Sequence, residues 1–355
     1  MAVWKKPWRL TEGFIIVLGL IVVGMLLELS IGPVRWSLFA WPVNVIMLAI
    51  LLTAIAILFL MRRHVYGCRF LMTASAAVPA LAVAAVLTVI MGLTRQQVGG
   101  RWINDMLTFW PFVLVYTYLV VILGLVVVKR IAMIRKRRKS IAARNADGHR
   151  HKAPDGHYVR SQVAFLLNHT GLFVALVSGT LGNADMQRLT MQLSNNAAVA
   201  NTLYFNLPQS MAPEMAAGVE HEPSLFHTEQ RYAWNATMQQ WMELPLSVEL
   251  QRFIMETYDD SLHTPRRYAS EIIVRRADAE QRATIDVNKP LSTGGWKIYQ
   301  KDYAMTPLGA DCQVSILELV RDPWLPFVYA GIFMMLAGAL LLMFLRTDKP
   351  ENRKP

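Results

Sequence analysis

One of the eight histidines in this 355-residue sequence is set apart by its surroundings. His169 stands in Phe165-Leu-Leu-Asn-His-Thr-Gly-Leu-Phe173, inside an apolar run. An ionisable group there is costly and is a functional candidate by default. Three roles suit a neutral imidazole in that setting: axial ligand to a haem or metal, proton relay, or hydrogen bonding to a neighbouring helix with Asn168 or Thr170 beside it. A two-histidine haem site needs a second ligand, and no other histidine falls inside an apolar run. His64, beside Arg63 at the edge of one, is a secondary candidate and reads as interfacial. His149, His151 and His157 gather near Asp147 and Asp155 at no spacing that defines a metal geometry. His221, His227 and His263 read as surface residues of a solvated domain.

The remaining reactive inventory is thin. The sequence holds no Gly-rich phosphate loop, no zinc-type pairing of Cys and His, no Gly-x-Ser-x-Gly and no Cys-x-x-Cys-His. ATPase and hydrolase chemistry are therefore disfavoured, as is covalent haem attachment to this chain. The two cysteines, Cys68 and Cys312, fall on opposite sides of the membrane in the topology below and are not expected to pair.

The elements that must position His169 are read from hydropathy. Hydrophobic residues make up 54% of the chain and cluster in six runs: Phe14–Leu27, Leu38–Met61, Phe70–Leu93, Thr108–Val128, Val163–Leu181 and Trp324–Leu345. Each approaches the ~20 residues that cross a hydrocarbon core. The first reads as a span and not as a cleaved signal, because no small-residue cleavage site follows it. Of the 36 Lys and Arg, 21 lie before the first run or after the second, fourth and sixth. Basic loops resist translocation, so both termini are expected in the cytoplasm and Gly182–Pro323, with 12 basic and 18 acidic residues, outside. The formal charge of +11 is thus a topology signal and does not imply a nucleic-acid partner.

The fold class expected is a membrane α-helical bundle of about six spans plus a small, mainly-β extracytoplasmic domain. It divides into a four-span bundle (1–130), a basic cytoplasmic linker (131–160), the histidine-bearing fifth span (161–182), the outside domain (183–323), the sixth span (324–346) and a cytoplasmic tail (347–355). The linker run Arg135-Lys-Arg-Arg-Lys139 suits anionic head groups of the lipid bilayer. The third run, rich in alanine from Ala74 to Ala85, is expected as an interior helix. Trp36, Trp41, Trp102, Trp110 and Trp324 read as interfacial belts. Glu28 is expected to reach head groups, and Tyr116, Thr117 and Tyr118 to hydrogen-bond a neighbouring helix. Outside, Ala184 to Gly218 reads as loop or short helix. Strands are expected at Tyr268–Arg275, Ala283–Val287, Trp296–Tyr303 and Gln313–Val320, with a turn at Gly294-Gly295.

A set of short stretches carries a family resemblance. Val287-Asn-Lys-Pro-Leu291, Gly295-Trp-Lys-Ile-Tyr-Gln300, Tyr303, Val320-Arg-Asp-Pro323 and Val328-Tyr-Ala-Gly331 resemble the C-terminal signature of the ResB (CcsB) cytochrome c biogenesis proteins. His169 with Gly171, Gly179 and Asp185 is similar to that family's histidine-bearing span, and Leu244-Pro-Leu-Ser-Val-Glu-Leu250 with Phe253 to a motif of its outside domain. The resemblance covers about residues 163 to 345, in family order. It implies a non-catalytic or co-catalytic subunit of a membrane cytochrome c synthase, which helps carry haem across the membrane and present it to apocytochrome c. It further implies a CcsA (ResC)-like membrane partner, and non-covalent haem b with His169 as one axial ligand and a partner histidine as the other. Five spans precede the outside domain here where the family has three. The alternative is a membrane-anchored scaffold whose outside domain recruits partners without binding haem.

Overall fold

The computed structural model describes residues 4–97, 100, 102–146, 156–195, 229–236, 238, 240–259, 265–304 and 314–347. His149, His151, His221, His227, His263 and Cys312 lie outside the described residues, as does the side chain of His157. The chain forms two compact units, Met1–Asp185 with Trp324–Pro355, and Met186–Pro323.

The first unit is helical. Six of its helices are long and apolar enough to cross a membrane, as expected: α1 (Leu10–Ile31), α2 (Val43–Met61), α4 (Ala74–Leu93), α5 (Trp110–Ala146), α6 (Gly156–Gly182) and α7 (Leu325–Thr347). The short α3 (Tyr66–Phe70) lies between α2 and α4. Interior position falls to α5 and not to the alanine-rich α4: 44% of the apolar stretch of α5 is buried, against 17% for α4. Helix α5 packs against α1, α2, α4 and α6, whereas the small residues of α4 buy close approach on one face only, where Ala76, Pro79 and Ala80 are buried. Helix α5 also outlasts the hydrocarbon. At 37 residues it is roughly 55 Å long, so the first part of the basic segment is a helical extension. Its Ile, Ala, Met, Lys and Arg residues are sound helix formers.

Helices α6 and α7 approach backbone to backbone. A Cβ added at Gly171 would lie 2.5 Å from the Gly331 carbonyl oxygen, and one at Gly338 would lie 2.7 Å from the Asn168 nitrogen. Ala164, Asn168, Gly171 and Ala175 thus form a stripe of one α6 face, at i, i+4, i+7 and i+11, that receives α7.

The second unit is a single antiparallel sheet of eight strands in the order β5-β4-β3-β2-β1-β8-β7-β6. The strands are β1 (Gln187–Ser194), β2 (Glu229–Asn235), β3 (Gln240–Thr257), β4 (Pro265–Arg276), β5 (Ala279–Asp286), β6 (Leu291–Thr293), β7 (Trp296–Ala304) and β8 (Val314–Arg321). Gly294 and Gly295, at φ +55° and +81°, make the two-residue turn between β6 and β7. Leu189, Met191, Leu193, Leu250, Ile272, Ile285, Ile298, Leu317 and Leu319 fill one buried core. The sheet curls until distant strands meet: Ser270 Oγ of β4 donates to Gln300 Oε1 of β7 at 2.6 Å and lies 2.7 Å from Ser315 Oγ of β8. Three strands separate β4 from β8 in the sheet, so these contacts require a nearly closed barrel.

Part of the segment expected as loop or short helix is strand β1, paired along its whole length with β8 from Gln187↔Arg321 to Ser194↔Val314. Leu189, Met191 and Leu193 point inward while Arg188 and Gln192 are exposed. That period of two outweighs the modest strand propensity of the intervening polar residues.

The helix pair makes a direct prediction. Gly331→Leu, whose side chain would meet the Ala175 nitrogen and the Gly171 oxygen, should destabilise the helical unit by at least about 1–3 kcal/mol, read as a lowered melting point in detergent. Gly19→Leu, with nothing within 4 Å, should leave it unchanged.

Candidate functional site

His169 occupies the face of α6 that meets α5, not the glycine face that meets α7. Phe165, His169, Leu176 and Thr180 follow one another at i, i+4, i+11 and i+15 on that side. The partner on α5 is Tyr116, whose Oη donates to the Leu176 carbonyl at 3.2 Å and accepts from Thr180 Oγ1 at 3.2 Å. The expected bonding from the Tyr116–Tyr118 stretch is thus present at Tyr116, while Tyr118 Oη is buried without a partner.

The imidazole is half-buried and held in a defined state. Its Nδ1 lies 3.0 Å from the Phe165 carbonyl oxygen, one turn back. A carbonyl only accepts, so Nδ1 carries the proton, and Nε2 is the ring nitrogen left to present a lone pair in the corresponding neutral tautomer. The Phe165 ring stacks on the imidazole at 3.8 Å between centroids and 19° between planes, which fixes its orientation. Among the described residues nothing bonds Nε2. A nitrogen donor with its lone pair free and its other nitrogen anchored is the usual arrangement of a metal-ligating histidine. No cluster of three or more His, Cys, Asp or Glu fit for a bare metal ion occurs among the described residues; the chemistries open to a lone nitrogen donor such as His169 include proton relay and ligation of a group that brings its own metal. His64 is exposed in the turn after α2, in no described contact with His169. Cys68 is buried as a free thiol in α3.

The same bundle carries a second polar assembly, at the end where α6 stops and α2 and α7 begin. Asp185 accepts three hydrogen bonds: from the Trp41 backbone nitrogen at 2.7 Å, from Asn44 Nδ2 at 2.6 Å and from Trp324 Nε1 at 2.7 Å. Nearby, Glu28 of α1 is 8% exposed and accepts from the Trp110 backbone nitrogen at 3.2 Å, capping α5. Glu28 therefore turns inward and does not reach for head groups, because an orphan N–H at a helix start offers it a partner that lipid does not. The tryptophans expected as belts also stitch helix ends: Trp36 Nε1 donates to the Leu107 carbonyl at 3.0 Å and Trp110 Nε1 to the Gly32 carbonyl at 2.9 Å.

Residues 127–317, more than half of the chain, match the model of the ResB-like family. This chain belongs to that family. The match begins within α5 and ends within β8, so His169, Asp185 and most of the sheet lie inside it and helices α1 to α4 precede it. The curated Protein NrfI of Wolinella succinogenes is 32% identical over 105 residues, which is 28% of this chain. The chain spans only 11% of the length of NrfI by that match. A solved structure titled Cytochrome c Heme Lyase CcmF aligns with 75% of this ResB-family chain and 34% of its own, at 12% identity and a TM-score of 0.29, a likeness too distant to say which elements correspond. The resemblance read from the short motifs is borne out by the family match.

Desolvation pushes the Asp185 carboxyl up, but the donors Trp41, Trp324 and Asn44 outweigh it and hold its pKa below the usual carboxylate range. A lowered folded pKa means that the stabilisation is full above about pH 4, the unfolded value, and is lost as pH falls through the folded one. Asp185→Asn should lower stability at pH 7 by about 1–2 kcal/mol and remove part of the wild type's loss on acidification, measured by thermal unfolding in detergent at pH 7 and pH 3. Equal melting of the two proteins at pH 7 would refute the clamp.

Proposed function

We propose that this ResB-family chain serves cytochrome c biogenesis as the non-catalytic or co-catalytic subunit of a membrane cytochrome c synthase of the CcsB/CcsA type, with His169 as an axial ligand to haem held within the bundle. The observation that carries the reading is the state of His169: Nδ1 anchored to the Phe165 carbonyl, the ring stacked, and Nε2 free in a membrane-spanning helix. Family membership supports it.

In this reading the residues of the chain hold and orient. Phe165 fixes the ring plane and its carbonyl fixes the tautomer, so Nε2 is always the nitrogen presented. The close α6–α7 contact and the Tyr116–Thr180 bonds fix the height and rotation of α6. Haem b, when bound, supplies the iron that Nε2 ligates and the vinyl groups to which apocytochrome c thiols add. The chain offers no second in-span histidine, so a further histidine to hold the haem would be supplied by a CcsA (ResC)-like membrane partner, where apocytochrome c would also be served. The placement that suits this role is the cytoplasmic membrane of a bacterium, with both termini inside and the sheet outside.

The chain co-expressed with a CcsA-like partner tests this by absorption spectroscopy of the purified complex. His169→Ala should lose most of the bound haem and lower the yield of holocytochrome c, with the complex itself still assembled. Unchanged haem content would overturn the ligand role and leave the scaffold reading.

A further inference from the structure

The strongest unexplained group in the bundle is Arg130, on α5. Its guanidinium carbon lies 4.2 Å from the centroid of the Phe165 ring, the same ring that stacks on His169 at 3.8 Å. A cation, an aromatic ring and an imidazole thus stand in series across α5 and α6, with the guanidinium two stacking distances from the candidate ligand. Arg130 Nε is buried and has no hydrogen-bond partner, and no ion pair to Arg130 occurs among the described residues.

This is an uncompensated arrangement. A cation over an aromatic face is stabilised by about 0.5–2 kcal/mol. Leaving a buried donor such as Nε unsatisfied costs about 1–3 kcal/mol, which the ring contact offsets only in part. Arginines where an apolar span turns basic ordinarily reach out to head groups, yet this one folds back onto Phe165. Three described acids of the helical unit are engaged elsewhere. Glu12 accepts from the backbone nitrogens of Arg9 and Trp4, Glu28 caps α5, and Asp185 holds Trp41, Asn44 and Trp324. The anion that Arg130 is set to meet is therefore not supplied by these acids. Its planar fork of donors matches a carboxylate.

Nε2 of His169 and a guanidinium with no ion pair among the described residues flank one phenyl ring, an arrangement that suits a ligand carrying both a metal and a carboxylate. We propose that Arg130 is a haem-binding residue that pairs with a propionate carboxylate of the porphyrin whose iron His169 ligates. The proposal rests on the haem reading above and adds a residue that fixes which edge of the porphyrin faces α5. Phe165 then serves both groups: it aligns the imidazole on one face and holds the guanidinium on the other.

The complex of the full-length chain with its CcsA-like partner, in phosphatidylcholine nanodiscs, is titrated with ferric protoporphyrin IX and, separately, with its dimethyl ester, in which both carboxylates are masked. The wild type should bind the free acid about 10-fold or more tightly than the ester, the range of a hydrogen bond to a charged group. Arg130→Leu should abolish that preference while keeping the Soret position of the His169-ligated form. Arg130→Gln, which retains part of the donor set, and circular dichroism of both variants separate lost pairing from lost folding. A wild-type preference that survives intact in folded Arg130→Leu or Arg130→Gln overturns the proposal. So does an unchanged preference accompanied by loss of co-purifying anionic phospholipid, which would assign the guanidinium to a lipid phosphate. If His169→Ala leaves the Soret band of the free acid unchanged, or the complex takes up neither porphyrin, the haem reading itself fails and this proposal with it.

Discussion

Within a hydrocarbon layer a polar group finds its partner inside the protein or has none, and the helical unit is organised around that constraint. Glu28 meets the first N–H of α5, Asp185 meets three donors from α2 and the start of α7, and Tyr116 and Thr180 meet each other across α5 and α6. These contacts set helix ends and heights, which apolar side chains sliding past one another would leave loose. The backbone-close α6–α7 pair supplies the remaining constraint, because glycine at Gly171, Gly331 and Gly338 removes the side chains that would otherwise keep the helices apart.

Against that background two groups stand out by what they lack. Nε2 of His169 and Nε of Arg130 are without partners in a unit that satisfies its carboxylates, and they flank the same phenyl ring. Leaving a donor and an acceptor unmatched so close together costs stability, and proteins retain such costs where a ligand offsets them. The family membership and this pairing address different questions. The first concerns the cellular process, the second the atoms that take part.

The spans were legible because bilayer thickness imposes a minimum apolar length, and all six expected runs are helices. Their ends were less so. Helix α1 extends from Leu10 to Ile31, past the expected Phe14–Leu27, because Glu12 and Glu28 interrupt the hydropathy while their carboxylates are spent on helix starts. His169 was legible as a charge-capable group in an apolar run. Arg130 was not, since it opens a basic segment and composition groups it with Arg135–Lys139. A signal was present: Arg130 follows the buried Leu123 and Val127 at i+4 and i+7, continuing an inward stripe. Strand β1 was hidden by its polar composition, although Leu189, Met191 and Leu193 mark its alternation. The curl that brings Ser270 to Gln300 and Ser315 was beyond reach, because non-local pairing leaves no local pattern.

The bond between Asp185 and Trp324 joins the last residue of the helical unit before the sheet to the first residue after it. The two cut points of the inserted sheet are thus neighbours in space, and a short turn would rejoin them. In evolutionary terms the helical unit has the form of a host that accepts a passenger domain at a single surface seam, as tolerated insertions require. A change in the sheet at that seam leaves the α6–α7 contact untouched, and with it the register of α6, which carries His169 on its α5-facing side.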